Sequence, residues 1–151
     1  MPERFSWILP KELAVGSFPR PTTSASYLNR MGITAVLCLT EVGEATVPGE
    51  ITHNFLWERV SIPDGFTGGI PTVEQFEQAL NILSRWRKKG HVIYVHCLAG
   101  VGRSPSVCVA YLVQNRGIDL GEALHFVKEC HAYANPDVHQ VRVMRTFLKP
   151  G

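Results

Sequence analysis

Nine residues in the middle of this chain, His96-Cys97-Leu98-Ala99-Gly100-Val101-Gly102-Arg103-Ser104, constrain it more than any other stretch. Val92-Ile93-Tyr94-Val95 runs into them as a strand, and Ser104 to Asn115 runs out as a helix-like segment apolar on nearly all sides. A strand, a tight glycine-bearing loop and a helix N-terminus in that order form an anion pocket. The loop amides converge, and the helix end adds partial positive charge. Gly100 and Gly102 let the backbone approach an anion where side chains would crowd it. One cysteine and one arginine bracket the loop with five residues between them. Cations and helix N-termini lower a thiol's pKa, so Cys97 is expected as a thiolate nucleophile beside a bound tetrahedral anion. Arg103 offers a planar fork for two of that anion's oxygens. Leu98, Ala99 and Val101 are uncharged, so they and the two glycines are expected to bind phosphate through backbone amides.

The rest of the chain reads as an α/β domain with a mixed, largely parallel sheet between helices. Leu13 to Phe18, Ile33 to Thr40 and Phe55 to Ile62 read as strands, and 43–54 as a surface loop. A short helix from about Ser24 to Met31 is closed by Gly32. Thr72 and Gln75 have capping-box spacing, followed by Val73, Phe76, Leu80 and Leu83 at helical period. Arg85, Arg87, Lys88 and Lys89 crowd the end of that helix as a solvated basic terminus, with a docking patch as the alternative. Gly117 stops the helix after the loop. Asp119 starts another, with Ala123, Leu124, Val127 and Cys130 inward. Asn135-Pro136-Asp137 reads as an N-cap, a first-turn proline and an acid, opening a last helix that turns Val138, Val141, Met144 and Leu148 inward.

At 151 residues a single domain, 1–151, is expected. The net charge of +2 is too small to imply nucleic acid or a membrane surface. No stretch reaches the ~18 apolar residues of a membrane span, and no apolar run follows Met1-Pro2-Glu3-Arg4 as a secretory signal requires. Cys38, Cys97, Cys108 and Cys130 show neither metal-site nor disulfide-framework spacing. Reduced thiols in a cytoplasmic monomer are the simpler account, without metal or other cofactor. Oxidation of Cys97 to a disulfide with Cys38 or Cys108 is a second possibility.

The nine residues match the HCxxGxxR[ST] signature of the cysteine-dependent protein phosphatases. With Phe5-Ser6-Trp7-Ile8-Leu9-Pro10, Leu37-Cys38-Leu39-Thr40-Glu41 and Ile62-Pro63-Asp64, the chain resembles the small atypical dual-specificity members over nearly its whole length. The resemblance implies hydrolysis of phosphotyrosine, and of phosphoserine or phosphothreonine, in a phosphoprotein or phosphopeptide through a phosphocysteine. It assigns Asp64, 33 residues before Cys97 between Pro63 and Gly65, as the acid that protonates the leaving group. Turn aspartate is the structural reading of the same residue, and Glu41 and Glu58 are weaker candidates. It assigns Ser104 to assisting departure of the thiolate, with helix N-capping as its structural reading. A thiolate needs no base, so His96 is expected to orient the loop and tune Cys97 through hydrogen bonds. The glycine-rich run Gly65-Phe66-Thr67-Gly68-Gly69 suggests a mobile lid, with Phe66 either on a substrate ring or in the core. Family members often carry an arginine-proline pair where Asn135-Pro136 stands, so a second anion contact there is not expected. A phosphoinositide or RNA 5′-phosphate phosphatase is the alternative activity, disfavoured by Leu98 and Val101 where lysines meet multiple phosphates. A non-catalytic phosphate-binding module is the alternative to an enzyme. Rhodanese-like and low-molecular-weight phosphatase arrangements fit the loop and the order of acid and cysteine poorly.

Overall fold

The structure is a computed structural model that describes residues 2–21 and 23–148. Five strands, β1 (Phe5–Leu9), β2 (Leu13–Gly16), β3 (Ala35–Cys38), β4 (Leu56–Arg59) and β5 (Ile93–His96), form one sheet in the order β1-β2-β5-β3-β4. Only the β1/β2 hairpin is antiparallel, and the other neighbours run parallel. The mixed, largely parallel sheet is therefore as the sequence predicts. β1 was not expected as a strand, and of the four anticipated strands β2, β3 and β4 are trimmed to four residues each while β5 shifts by one residue.

Six helices cover the sheet: α1 (Ser24–Arg30), α2 (Gly49–Asn54), α3 (Val73–Lys88), α4 (Arg103–Arg116), α5 (Leu120–Cys130) and α6 (Val138–Phe147). Side chains alternate across each strand. Ala14, Val36 and Tyr94 pack with Leu28 and Ile51 on the α1/α2 face. Val15, Leu37 and Val95 pack with Phe76, Trp86, Val107 and Met144 on the α3–α6 face. Helix α4 lies inside the second layer, with all residues from Arg103 to Leu112 buried. That is why its sequence shows no polar stripe.

The local signals mostly hold. Thr72 and Gln75 make the reciprocal capping box of α3. Gly117 takes the left-handed φ of 67° that ends α4, a conformation only glycine adopts at little cost. Three expectations are corrected. Residues 43–54 are not all loop, because α2 forms there around buried Ile51. Asp137, not Asn135, caps α6, accepting from the Gln140 amide while Gln140 returns a bond to the Asp137 amide. Val138 consequently falls at the first turn and is exposed instead of inward; Val141 and Leu148 are partly buried against the core, and Met144 is fully buried.

Candidate active site

Strand β5 delivers Cys97 to the C-terminal edge of the sheet, and α4 departs from it, with residues 97–102 as the turn between. Cys97 is buried with 2% exposure. Its Sγ lies 3.2 Å from the Ser104 hydroxyl, which also reaches the Gly16 carbonyl at 3.1 Å. Ser104 is not the N-cap of α4. Gly102 holds that position without a side-chain bond, and Ser104 turns inward from the first turn to the sulfur. His96 is fully buried, and its Nδ1 donates to the Cys97 carbonyl at 3.1 Å.

The direction of the loop amides follows from where its carbonyls go. In a trans peptide the C=O of one residue and the N–H of the next point oppositely. The Leu98 carbonyl accepts from the Phe18 amide at 3.0 Å, and the Gly102 carbonyl from both the amide and the hydroxyl of Ser106, at 3.0 and 2.6 Å. The Ala99 and Arg103 amides are therefore turned the other way, toward the cavity. Gly100 has φ of 75°, and a Cβ there would stand 2.8 Å from the backbone carbon of Gly16. Glycine is required at that position both for the dihedral and for the space.

Arg103 is 3% exposed, and its side chain is held in a fixed direction. Nη1 donates to Glu44 Oε2 at 2.7 Å and to the Ile62 carbonyl at 2.8 Å, and Nη2 donates to Glu44 Oε1 at 2.8 Å. A guanidinium has five N–H donors. Three are engaged, which leaves Nε–H and the second Nη2–H on one edge, the right number and spacing for two oxygens of a tetrahedral anion. Burial works against the charge, but the Glu44 carboxylate and the nearby Cys97 and Asp64 charges raise the Arg103 pKa above its usual value. Burial likewise raises Glu44, yet the bonds from Arg103 outweigh it and hold that carboxyl below the ordinary range. Glu44 also accepts from the Glu41 amide at 2.6 Å.

Asp64 approaches from the loop after β4. Its Oδ2 stands 3.9 Å from Arg103 Nη2, and its Oδ1 accepts from the Phe66 amide at 3.0 Å as cap of the 3-10 turn Gly65–Thr67. Asp64 therefore caps a turn and lines the cavity at once. Glu58 pairs instead with Arg85 on the outer edge. Asp64, Phe66, Cys97, Leu98, Arg103 and Asp137 are among the residues around one cavity of about 470 Å³. Phe66 is 89% exposed, not part of the core.

The sequence missed Glu44, Asp137 and Gln140. Glu44 sits in a loop of ordinary polar composition, and nothing in its spacing separates it from Glu41. Gln140 is 2% exposed and accepts from the Ser106 hydroxyl at 3.3 Å, closing the outer wall. The spacing of Asp137 and Gln140 matches a capping box, which was the available local signal for Gln140, but not for its contact with Ser106. The four cysteines are free. Burial and the Cys97 charge push the Cys108 thiol well up. Burial also raises Cys38, but His96 and Thr40 beside it bring that thiol down to about 7. No group of metal-ligating side chains occurs among the described residues, and no described helix is long and apolar enough to cross a membrane.

Comparison with known proteins places this geometry among relatives. The family described as "Dual specificity phosphatase, catalytic domain" matches residues 16–149. Human dual specificity protein phosphatase 5 is 30% identical over 116 residues, covering 76% of this chain and 28% of its own length. Xenopus laevis dual specificity protein phosphatase 1-A is 28% identical over 110 residues, covering 73% of this chain and 28% of its own. The chain thus spans less than a third of the length of these curated relatives. Among solved structures, Tk-PTP in the active form superposes with a TM-score of 0.83 at 25% identity over 100% of both chains. PTPMT1 in complex with PI(5)P has the same fold, with a TM-score of 0.84 at 20% identity over 97% of this chain and 96% of its own.

Proposed function

Because the chain belongs to the dual specificity phosphatase catalytic-domain family, we propose that it hydrolyses phosphomonoesters of proteins, phosphotyrosine foremost, through a phosphocysteine on Cys97. One observation carries the reading: Sγ lies at the floor of an amide-lined turn while Arg103 keeps two donors unengaged on one edge. The phosphoryl group binds with its oxygens on that edge and on the amides of 98–103. The thiolate attacks phosphorus opposite the ester oxygen. Asp64, on the loop across the cavity, gives its proton to the departing oxygen. Water then attacks the phosphocysteine, Asp64 accepts its proton, and the sulfur leaves as thiolate. The Ser104 hydroxyl has a single proton, shared between the Gly16 carbonyl and Sγ. While sulfur carries phosphorus that proton rests on the carbonyl. As negative charge returns to sulfur it swings across and stabilises the leaving group.

The cavity also speaks for the substrate class. Arg103 is the one basic side chain among its described lining residues, and the carboxyl groups of Asp64 and Asp137 stand with it. Phe66 and Leu98, 89% and 41% exposed, supply an apolar rim. This suits one phosphate on an apolar or aromatic stem and disfavours a headgroup with several phosphates. No step calls for a metal, and the free thiols suit a reducing cytoplasm.

Cys97→Ser tests the reading. The variant is expected to lose turnover of a chromogenic aryl phosphate in EDTA while still binding inorganic phosphate. Normal turnover in it would remove Cys97 as nucleophile.

A further inference from the structure

Two carbonyls in the centre of the loop are held by residues far from it in sequence. The Ala99 carbonyl accepts from Arg4 Nη1 at 3.0 Å, and the Gly100 carbonyl accepts from His131 Nε2 at 2.7 Å. Each contact is itself supported. The Arg4 guanidinium lies 4.0 Å over the Tyr133 ring, a cation–π contact that fixes a long side chain. The His131 ring is 1% exposed, and its Nδ1 meets the Ser6 hydroxyl at 2.7 Å. A carbonyl only accepts, so Nε2 carries the proton, Nδ1 is the acceptor, and Ser6 donates. Burial holds the His131 pKa below its usual value, against the pull of the Gly100 carbonyl and with help from Arg4 and Lys128. The imidazole is therefore neutral and in one tautomer at physiological pH.

We propose that His131 and Arg4 are positioning residues for the phosphate site: by tying the Gly100 and Ala99 carbonyls outward, they aim the Val101 and Gly100 amides at the bound phosphoryl group. The trans geometry of each peptide makes the two directions one variable. Gly100 is the residue most in need of such a tie, because its own dihedral permits the following peptide to flip. Donors aimed in advance stabilise transition-state charge without reorganisation cost. Arg4 and Ser6 stand two apart along β1 and its approach, and His131 and Tyr133 two apart in the segment after α5, so one backing layer reaches two adjacent peptides. The proposal rests on the phosphate-site reading above.

The experiment compares wild type, His131→Phe, His131→Gln and Arg4→Met, with vanadate as oxyanion probe and an aryl phosphate for kcat and KM. Glutamine offers an amide oxygen to Ser6 and an amide N–H to Gly100, spaced much as the two ring nitrogens are. Deleting one oxyanion donor outright costs roughly 10²–10³-fold, so loosening its aim is expected to cost about tenfold in vanadate affinity in His131→Phe. Glutamine is expected to restore most of it. Arg4→Met keeps the stem and loses the donor at a partly exposed site. It is expected to bind vanadate about threefold more weakly at unchanged Tm, and its Gly100 amide proton should lose much of the shift that vanadate induces in wild type. If His131→Phe does not fold, Arg4→Met and His131→Gln carry the test. Wild-type vanadate affinity with wild-type amide shifts in Arg4→Met, or a glutamine variant as impaired as phenylalanine, overturns the proposal. A wild-type protein that binds no vanadate overturns the phosphate-site reading itself.

Discussion

Glu44→Gln isolates the contact that aims Arg103. In the native site Glu44 accepts from both Nη atoms at 2.7 and 2.8 Å. Glutamine retains one acceptor but turns an N–H toward the other Nη, so one charge-assisted bond is lost and donor faces donor. A hydrogen bond to a charged group is worth about 1.5–3 kcal/mol, and breaking a buried ion pair costs ~3–5 kcal/mol. Glu44 is 17% exposed and Asp64 stands 3.9 Å from the same guanidinium, so water and a second carboxylate recover part of the loss. About 2 kcal/mol is expected, near 4–8 °C in Tm for a domain of this size. The effect has a pH signature. Arg103 holds the Glu44 carboxyl below its ordinary range in the folded chain, so its contribution is full above the ordinary carboxylate pKa and is lost as pH falls through the lowered folded pKa. Wild type and variant should therefore differ near neutrality and converge in acid. Arg103 also loses its fixed direction, and kcat/KM for an aryl phosphate should fall about tenfold, an expectation from roughly 1.4 kcal/mol of lost aim. Calorimetry and steady-state kinetics of Glu44→Gln, Arg103→Met and the double variant complete the cycle. A coupling energy indistinguishable from zero, with Tm and kcat/KM of Glu44→Gln as in wild type, would refute the argument.

Asp64→Asn should reduce kcat by about 10²–10³-fold on alkyl phosphates and much less on an aryl phosphate with a good leaving group, since the proton matters in proportion to the leaving oxygen's basicity; equal losses in a leaving-group series would remove Asp64 as donor. Ser104→Ala should slow breakdown of the phosphocysteine by ~10–100-fold, the worth of one charge-assisted hydrogen bond, and rapid-quench kinetics should show a burst that wild type lacks. Gly100→Ala places a Cβ 2.8 Å from Gly16 at a φ of 75°. It should cost ~1–3 kcal/mol in stability and most of the turnover, and a denaturation midpoint and rate equal to wild type would contradict the loop geometry described.

Four of the five strands, the loop and the side chains of His96, Cys97, Arg103, Ser104 and Asp64 as candidates were readable because their signals are local. Capping chemistry, glycine stops and a strand–turn–helix motif each occupy a few adjacent residues. Glu44 and Gln140 were not readable as parts of the site, because their partners Arg103 and Ser106 lie 59 and 34 positions away. The misplacement of the α6 cap has the same origin. Asn135 and Asp137 are equally good N-caps by residue type, and the choice fell to Asp137 because Gln140 completes the reciprocal pair from there and the Asn135 amide is drawn to the Val101 carbonyl at 2.7 Å. α2 was missed because six residues with a glycine and an asparagine have weak intrinsic helicity, and Ile51 forms it only by docking on the sheet.

The contact between Ser6 and His131 spans 125 positions. During synthesis, Arg4 and Ser6 leave the ribosome long before their counterparts, and closing so long a segment carries an entropic cost that local interactions cannot offset early. A nascent chain already holding Cys97 therefore has a slack, unaimed turn until the residues after α5 are made. The turn's amides are aimed only once that last stretch has folded back against the first strand.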